Sequence, residues 1–195
     1  MTRNQQYSLL LLAGGKSSRM GKDKAGLLYQ GQTFLQCMIQ KGKNLGLTQC
    51  YISGYASSDK EVTAVWDQYP NRGPLGGIHA GMKAIHTPYC LVLPVDAPTL
   101  PEVILEELLD THERTPEKEK VLIWEHGERK EPLIAVYPIA MAETKEELIK
   151  ERPAPVFRAL DRQGYNCFKR ELINEEIMNI NTPELYERIG GTKNV

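Results

Sequence analysis

Residues Leu9 to Lys24 read LLLLAGGKSSRMGKDK, an apolar run that stops at a glycine pair and continues as small, polar and cationic residues. Four consecutive apolar positions without alternation predict a strand covered on both faces, and therefore the interior of a sheet with helices on either side. Gly14 and Gly15 lack the Cβ atoms that would hold a ligand away from the backbone, and both permit positive φ, so successive N–H groups can turn toward an anion. Arg19, Lys22 and Lys24 bring positive charge into the same excursion. The glycines by themselves favour a tight turn beside solvated lysines, because such loops are common. Two phosphate-binding patterns are excluded by spacing: there is no GxGxxG, and Gly21-Lys22 is followed by Asp23 where a P-loop needs Ser or Thr.

Beyond the loop, the periodicity alternates between helix and strand. Thr33 to Leu45 carries Phe34, Leu35, Met38, Ile39 and Leu45 on one helical face, with Thr33 as N-cap and Gly46 as terminator. Short strands are predicted at Cys50 to Ser53 and Val62 to Trp66, the latter ending at Asp67. The segment RGPLGG, Arg72 to Gly77, opens a helix in which Ile78, Met82 and Ile85 are spaced for burial. Pro74 fixes its entry, and its glycines let backbone approach a neighbour at the N-terminus, where the dipole favours anions.

A second two-faced strand, Tyr89 to Val95, ends in Asp96. A carboxylate at the carboxyl end of a central parallel strand faces the crevice where open α/β sheets bind ligands, which makes Asp96 the best metal-ligand candidate; capping a turn before Pro98 is its alternative duty. A helix over Pro101 to His112 leads into a solvated linker. Val121 to Trp124 and Leu133 to Tyr137 are then expected as an antiparallel addition at the sheet edge. Helices over Ile139 to Lys150 and Val156 to Gln163, a strand near Tyr165 to Phe168, and a last helix capped by Asn181 or Thr182 complete the chain. The pattern predicts a three-layer α/β fold with a mainly parallel sheet.

Composition narrows the partners. At 195 residues with 41% apolar content, a single domain over 1–195 is expected. The formal net charge of −1, from 24 basic and 25 acidic residues, supplies no bulk attraction to nucleic acid or to an anionic membrane, so an anionic ligand must be held by local charge. The four cysteines are widely spaced and form no CxxC, which argues against a disulfide framework or a zinc site. No apolar run approaches the ~20 residues that span a bilayer, and a soluble, cytoplasmic protein is expected.

The first loop closely resembles the signature LAGGxSxRMGxDK of the molybdenum cofactor guanylyltransferases, present as LAGGKSSRMGKDK from Leu12 to Lys24. GPLGG at Gly73 to Gly77 is similar to the family's GPLxG. PVDAP at Pro94 to Pro98 matches PCDxP except at Val95. NINTPEL, Asn179 to Leu185, resembles its terminal signature. The resemblance implies a Rossmann-like nucleotidyltransferase fold and transfer of GMP from GTP to the terminal phosphate of molybdenum-molybdopterin, with Mg2+ as cofactor. It further implies catalytic roles for Arg19, Lys24 and Asp96, and GTP binding by Leu12, Ala13, Gly14, Gly15, Lys24, Asp67 and Asp96. Asp96 is its implied metal ligand, and Asn179 and Asn181 its contacts to the pterin substrate. Transient contact with molybdenum-insertion proteins and apo-molybdoenzymes follows from the same likeness. The family often carries Asn where this chain has Ser53.

The chemistry suits these residues. An ionised phosphate nucleophile needs no general base, while the charges of both reactants and of the leaving pyrophosphate need neutralising. A related nucleotidyltransferase using CTP or another acceptor, and a non-catalytic nucleotide-binding regulator, are the competing assignments.

Overall fold

The computed structural model describes residues 2–14, 24–69, 72–144, 156–171 and 180–190. A short helix α1 (Arg3–Gln6) leads into β1 (Tyr7–Leu12), and a 3₁₀ turn over Lys24–Gly26 precedes the small hairpin β2 (Leu28–Tyr29) and β3 (Gln32–Thr33). There follow α2 (Phe34–Asn44), β4 (Cys50–Ser53), β5 (Val62–Val65), α3 (Pro74–Ala84), β6 (Tyr89–Pro94) and α4 (Glu102–Arg114). The remaining elements are β7 (Val121–His126), β8 (Arg129–Pro138), α5 (Met141–Thr144), α6 (Val156–Gln163), β9 (Tyr165–Lys169) and α7 (Pro183–Arg188).

Seven strands form one sheet in the order β5-β4-β1-β6-β8-β7-β9. β1 and β6 are central neighbours and pair in parallel, Leu12 opposite Pro94, as their unbroken apolar character demands. The alternation of side chains explains why no polar residue interrupts β1 from Leu9 onward: Leu9 and Leu11 enter one core layer with α2 and α4, while Leu10 and Leu12 enter the other with α3 and α6. The three-layer α/β architecture with a mainly parallel sheet is thus as expected.

The hairpin of β7 and β8 is antiparallel, but it does not lie at the sheet edge. β8 inserts between β6 and β7, and β9 pairs in parallel with β7 to form the outer strand. The strand expected to run through Trp66 ends at Val65. Thr33 is the N-cap of α2, its hydroxyl accepting from Gln36 N at 3.1 Å, and Gln36 reaches back to Thr33 N at 2.9 Å. This reciprocal arrangement satisfies two amides the helix leaves unpaired. Only the first turn of the helix expected over Ile139 to Lys150 is described, as α5; residues 145–155 lie outside the described residues.

Candidate active site

The register brings several strand ends to one level. Leu12 lies opposite Ser53 on one side and Pro94 on the other, and Ser53 lies opposite Val65. The backbone continues this alignment past the strands: Ala13 N donates to Ser53 O at 2.9 Å and Val95 N to Leu12 O at 3.0 Å. Gly14 then meets Gly54, whose φ of +81° suits glycine; a Cβ at Gly54 would stand 2.4 Å from Gly14 Cα. Gly54 is the glycine this approach requires, since a Cβ at Gly14 would meet nothing closer than 3.5 Å.

Lys24 stands where the chain returns from the loop. Its Nζ donates to Asp96 Oδ2 at 2.6 Å and also to Asn181 Oδ1. The side chains of Lys24 and Asp96 retain 18% and 16% exposure, so the pair is largely shielded but open on one side. Three segments far apart in sequence converge here for identifiable reasons. β6 delivers Asp96 just beyond its carboxyl end. Ile180, fully buried with Phe34 and Tyr186, donates its N–H to Asp96 O at 2.9 Å and so fixes the neighbouring Asn181. Tyr186 on α7 in turn holds Leu28, just past the Lys24 turn, by donating to Leu28 O at 2.8 Å and accepting from Leu28 N at 3.1 Å.

Sequence left the cap of the last helix open between Asn181 and Thr182. Thr182 Oγ1 accepts from Leu185 N at 3.3 Å, so Thr182 is the cap and the Asn181 carboxamide serves Lys24. That division had no signal in the sequence, because the partner of Asn181 is 157 residues away.

Asp67 occupies a separate station on the same rim. Its Oδ1 accepts from Tyr69 N at 2.7 Å, and its carboxylate lies against the first turn of α3, where a Cβ at Gly76 would be 2.1 Å from Oδ2. The positive end of α3 favours that carboxylate, so Asp67 also has a structural duty. Ser53 is 3% exposed, and its hydroxyl is packed toward α3, 2.9 Å from where a Gly77 Cβ would be. Of the other expected residues, Leu12, Ala13 and Gly14 line the strand ends, whereas Gly15, Arg19 and Asn179 lie outside the described residues.

A divalent cation fits this donor set only in one manner. Among the described residues no group of three His, Cys, Asp or Glu side chains converges, which excludes an all-protein cage there. A single strand-end carboxylate suits Mg2+, which keeps most of its waters and takes the remaining ligands from substrate phosphates. No described histidine joins Lys24 and Asp96: His112, for example, is buried with Tyr7 and Tyr89, and burial pushes its pKa down to about 4.

Comparison with known proteins gives likenesses in sequence and in fold. The family profile of the MobA-like NTP transferase domain matches residues 9–165. A molybdenum cofactor guanylyltransferase of Pseudomonas fluorescens (strain Pf0-1) is 32% identical over 188 residues, covering 91% of this chain and 90% of that protein. The crystal structure of molybdopterin-guanine dinucleotide biosynthesis protein A from Archaeoglobus fulgidus superposes with a TM-score of 0.76 at 25% identity, covering 93% of this chain and 96% of the other. A nucleotidyl transferase from Methanothermobacter thermautotroptrophicus, at 18% identity and a TM-score of 0.73 over 94% of this chain and 95% of the other, shares the fold.

Proposed function

Because the chain belongs to the molybdenum cofactor guanylyltransferases, within the MobA-like NTP transferase domain family, we propose that it transfers GMP from GTP to the terminal phosphate of molybdenum-molybdopterin, yielding the guanine dinucleotide cofactor and pyrophosphate. The observation that carries this proposal is the meeting of Lys24, Asp96 and Asn181 at the carboxyl ends of the central strands, beside the bare Gly14–Gly54 contact. Central strand ends are where open α/β sheets bind nucleotides.

The reaction joins an oxygen of the acceptor phosphate to the α-phosphorus of GTP and breaks the bond from that phosphorus to the oxygen bridging to the β-phosphate. The pyrophosphate departs with that electron pair, and the nucleophile carries no proton to remove. The protein's task is therefore positioning and charge neutralisation. Backbone of Leu12 to Gly15 cradles the nucleotide, Arg19 and Lys24 offset phosphate charge, Asp67 accepts from the guanine edge or ribose, and Asn179 and Asn181 face the pterin substrate. Asp96 would hold Mg2+, which when bound neutralises charge on the triphosphate. Lys24, poised between Asp96 and Asn181, has the reach to exchange one of these partners for a substrate phosphate. The whole chain works as one nucleotidyltransferase domain in the cytoplasm, exchanging cofactor with molybdenum-insertion proteins and apo-molybdoenzymes.

Calorimetric titration with GTP, ATP and CTP in the presence of Mg2+ tests the nucleotide half of the proposal. GTP is expected to bind most tightly; a preference for CTP would favour a cytidylyltransferase instead.

A further inference from the structure

Trp66, 63% exposed, is the most exposed aromatic side chain among the described residues. Single exposed apolar residues are ordinary on protein surfaces, so exposure alone says little; the position of this one says more. It follows the last residue of β5, Val65, which is buried, and precedes Asp67, whose carboxylate is turned onto α3. β5 is the outer strand beside β4, and β4 is the neighbour of β1. Strands in a sheet are ~4.8 Å apart, so Trp66 stands roughly 10 Å from the end of β1, about the span of a base with its sugar.

Between those two points β4 runs out into a glycine. Gly54 follows β4 and packs on the backbone of Gly14, just past β1, so closely that a side chain at Gly54 has no room: its Cβ would stand 2.4 Å from Gly14 Cα. A stretch of backbone closed to side chains at Gly54, the Asp67 carboxylate at its margin and, next to Asp67 in sequence, an uncovered indole make up the parts of a base-binding site. Indole supplies a large apolar face that every base can stack upon.

We propose that Trp66 is the stacking surface for the base of the bound nucleoside triphosphate, a positioning role that rests on the guanylyltransferase assignment and adds a residue to it. The indole covers one face of the purine while Asp67 meets its edge. Trp66 then favours purines over the smaller pyrimidines by overlap area, and Asp67 separates guanine from adenine by accepting from ring N–H and amino groups.

The test uses the protein's own fluorescence. Its two tryptophans are Trp66 and Trp124, and the latter is fully buried with its Nε1 donating to Arg170 O at 2.7 Å. GTP should therefore quench an exposed emission that Trp66→Phe abolishes. Calorimetry should show GTP affinity reduced roughly 5- to 100-fold in Trp66→Ala, the scale found when a base loses its aromatic partner, and only a few-fold in Trp66→Phe. Because the side chain is mostly in solvent, both variants should keep the wild-type melting temperature within a few degrees. Unchanged GTP affinity in Trp66→Ala, or quenching that survives in Trp66→Phe, overturns the proposal while leaving guanylyl transfer intact. A wild-type protein that binds no GTP overturns both.

Discussion

Removing the charge from Asp96 while keeping its shape separates electrostatics from architecture at the centre of the site. Lys24 Nζ lies 2.6 Å from Asp96 Oδ2, with less than a fifth of either side chain exposed. A charge-assisted hydrogen bond of this kind contributes about 1.5–3 kcal/mol. Asp96→Asn retains an acceptor oxygen, and Lys24 keeps Asn181 and a path to water, so the cost of that variant should be about 1 kcal/mol. Lys24→Met keeps the apolar stem and leaves Asp96 without its cation, at about 1–2 kcal/mol. If the ion pair carries the effect, the double variant should lose less than the sum, with a coupling of about 1–2 kcal/mol. Denaturant unfolding of all four proteins measures it, and partial burial predicts little change between low and moderate salt. Guanylyl transfer in Asp96→Asn should fall at least ~10²-fold, far beyond the loss of stability, as when a preorganised electrostatic group is removed. Coupling within the ~0.3 kcal/mol error of additivity would refute the pair, and full activity in Asp96→Asn would refute the role assigned to the carboxylate.

Two further outcomes follow from other parts of the fold. His112 is fully buried, its Nδ1 2.8 Å from Tyr7 Oη, and burial, with a smaller contribution from the Lys118 charge, lowers its pKa from 6.5 to about 4. The folded state thus resists protonation: the associated stability is complete above pH ~6.5 and is lost as pH falls toward ~4, amounting to ~3 kcal/mol. His112→Gln should flatten that part of the stability profile measured by denaturant titration between pH 7 and 4, and an unchanged slope would contradict it. Gly76→Ala should leave the protein folded at a cost of about 1–3 kcal/mol, because the added Cβ would stand 2.1 Å from Asp67 Oδ2 and 2.7 Å from its Cγ and the carboxylate must shift from Tyr69 N. Displacing that carboxylate should nevertheless narrow the affinity gap between GTP and ATP, and an unaltered gap in competitive titrations would free Asp67 from base recognition.

How much of this was legible beforehand depends on the range of the interaction. The two-faced leucines of β1 and the matching run of β6 announced the central pair, because burial on both faces leaves no room for alternation. Thr33 announced the start of α2, since a cap is a local device: its hydroxyl accepts from Gln36 N, three residues on. The sheet edge was not legible: β9 is a short strand of half-buried residues, and nothing in YNCFK specifies that it should pair outside β7. Trp66 misled the strand boundary, because an aromatic residue after VTAV has high strand propensity, yet the ladder stops at Val65 and the indole stays in solvent. Within the site, Asp96 could be placed from strand position alone. Its bond to Lys24 joins residues 72 apart and is a product of packing rather than of local pattern.

The central claim is most directly tested by the reaction itself. The purified protein with Mg2+ should be supplied with GTP, ATP or CTP in turn, with and without molybdenum-molybdopterin, while pyrophosphate release is followed and the product mass recorded. Pyrophosphate should appear with GTP only when the acceptor is present, in step with a guanine dinucleotide product. Release with CTP in preference to GTP, or no release with any nucleotide when acceptor is supplied, would contradict the account.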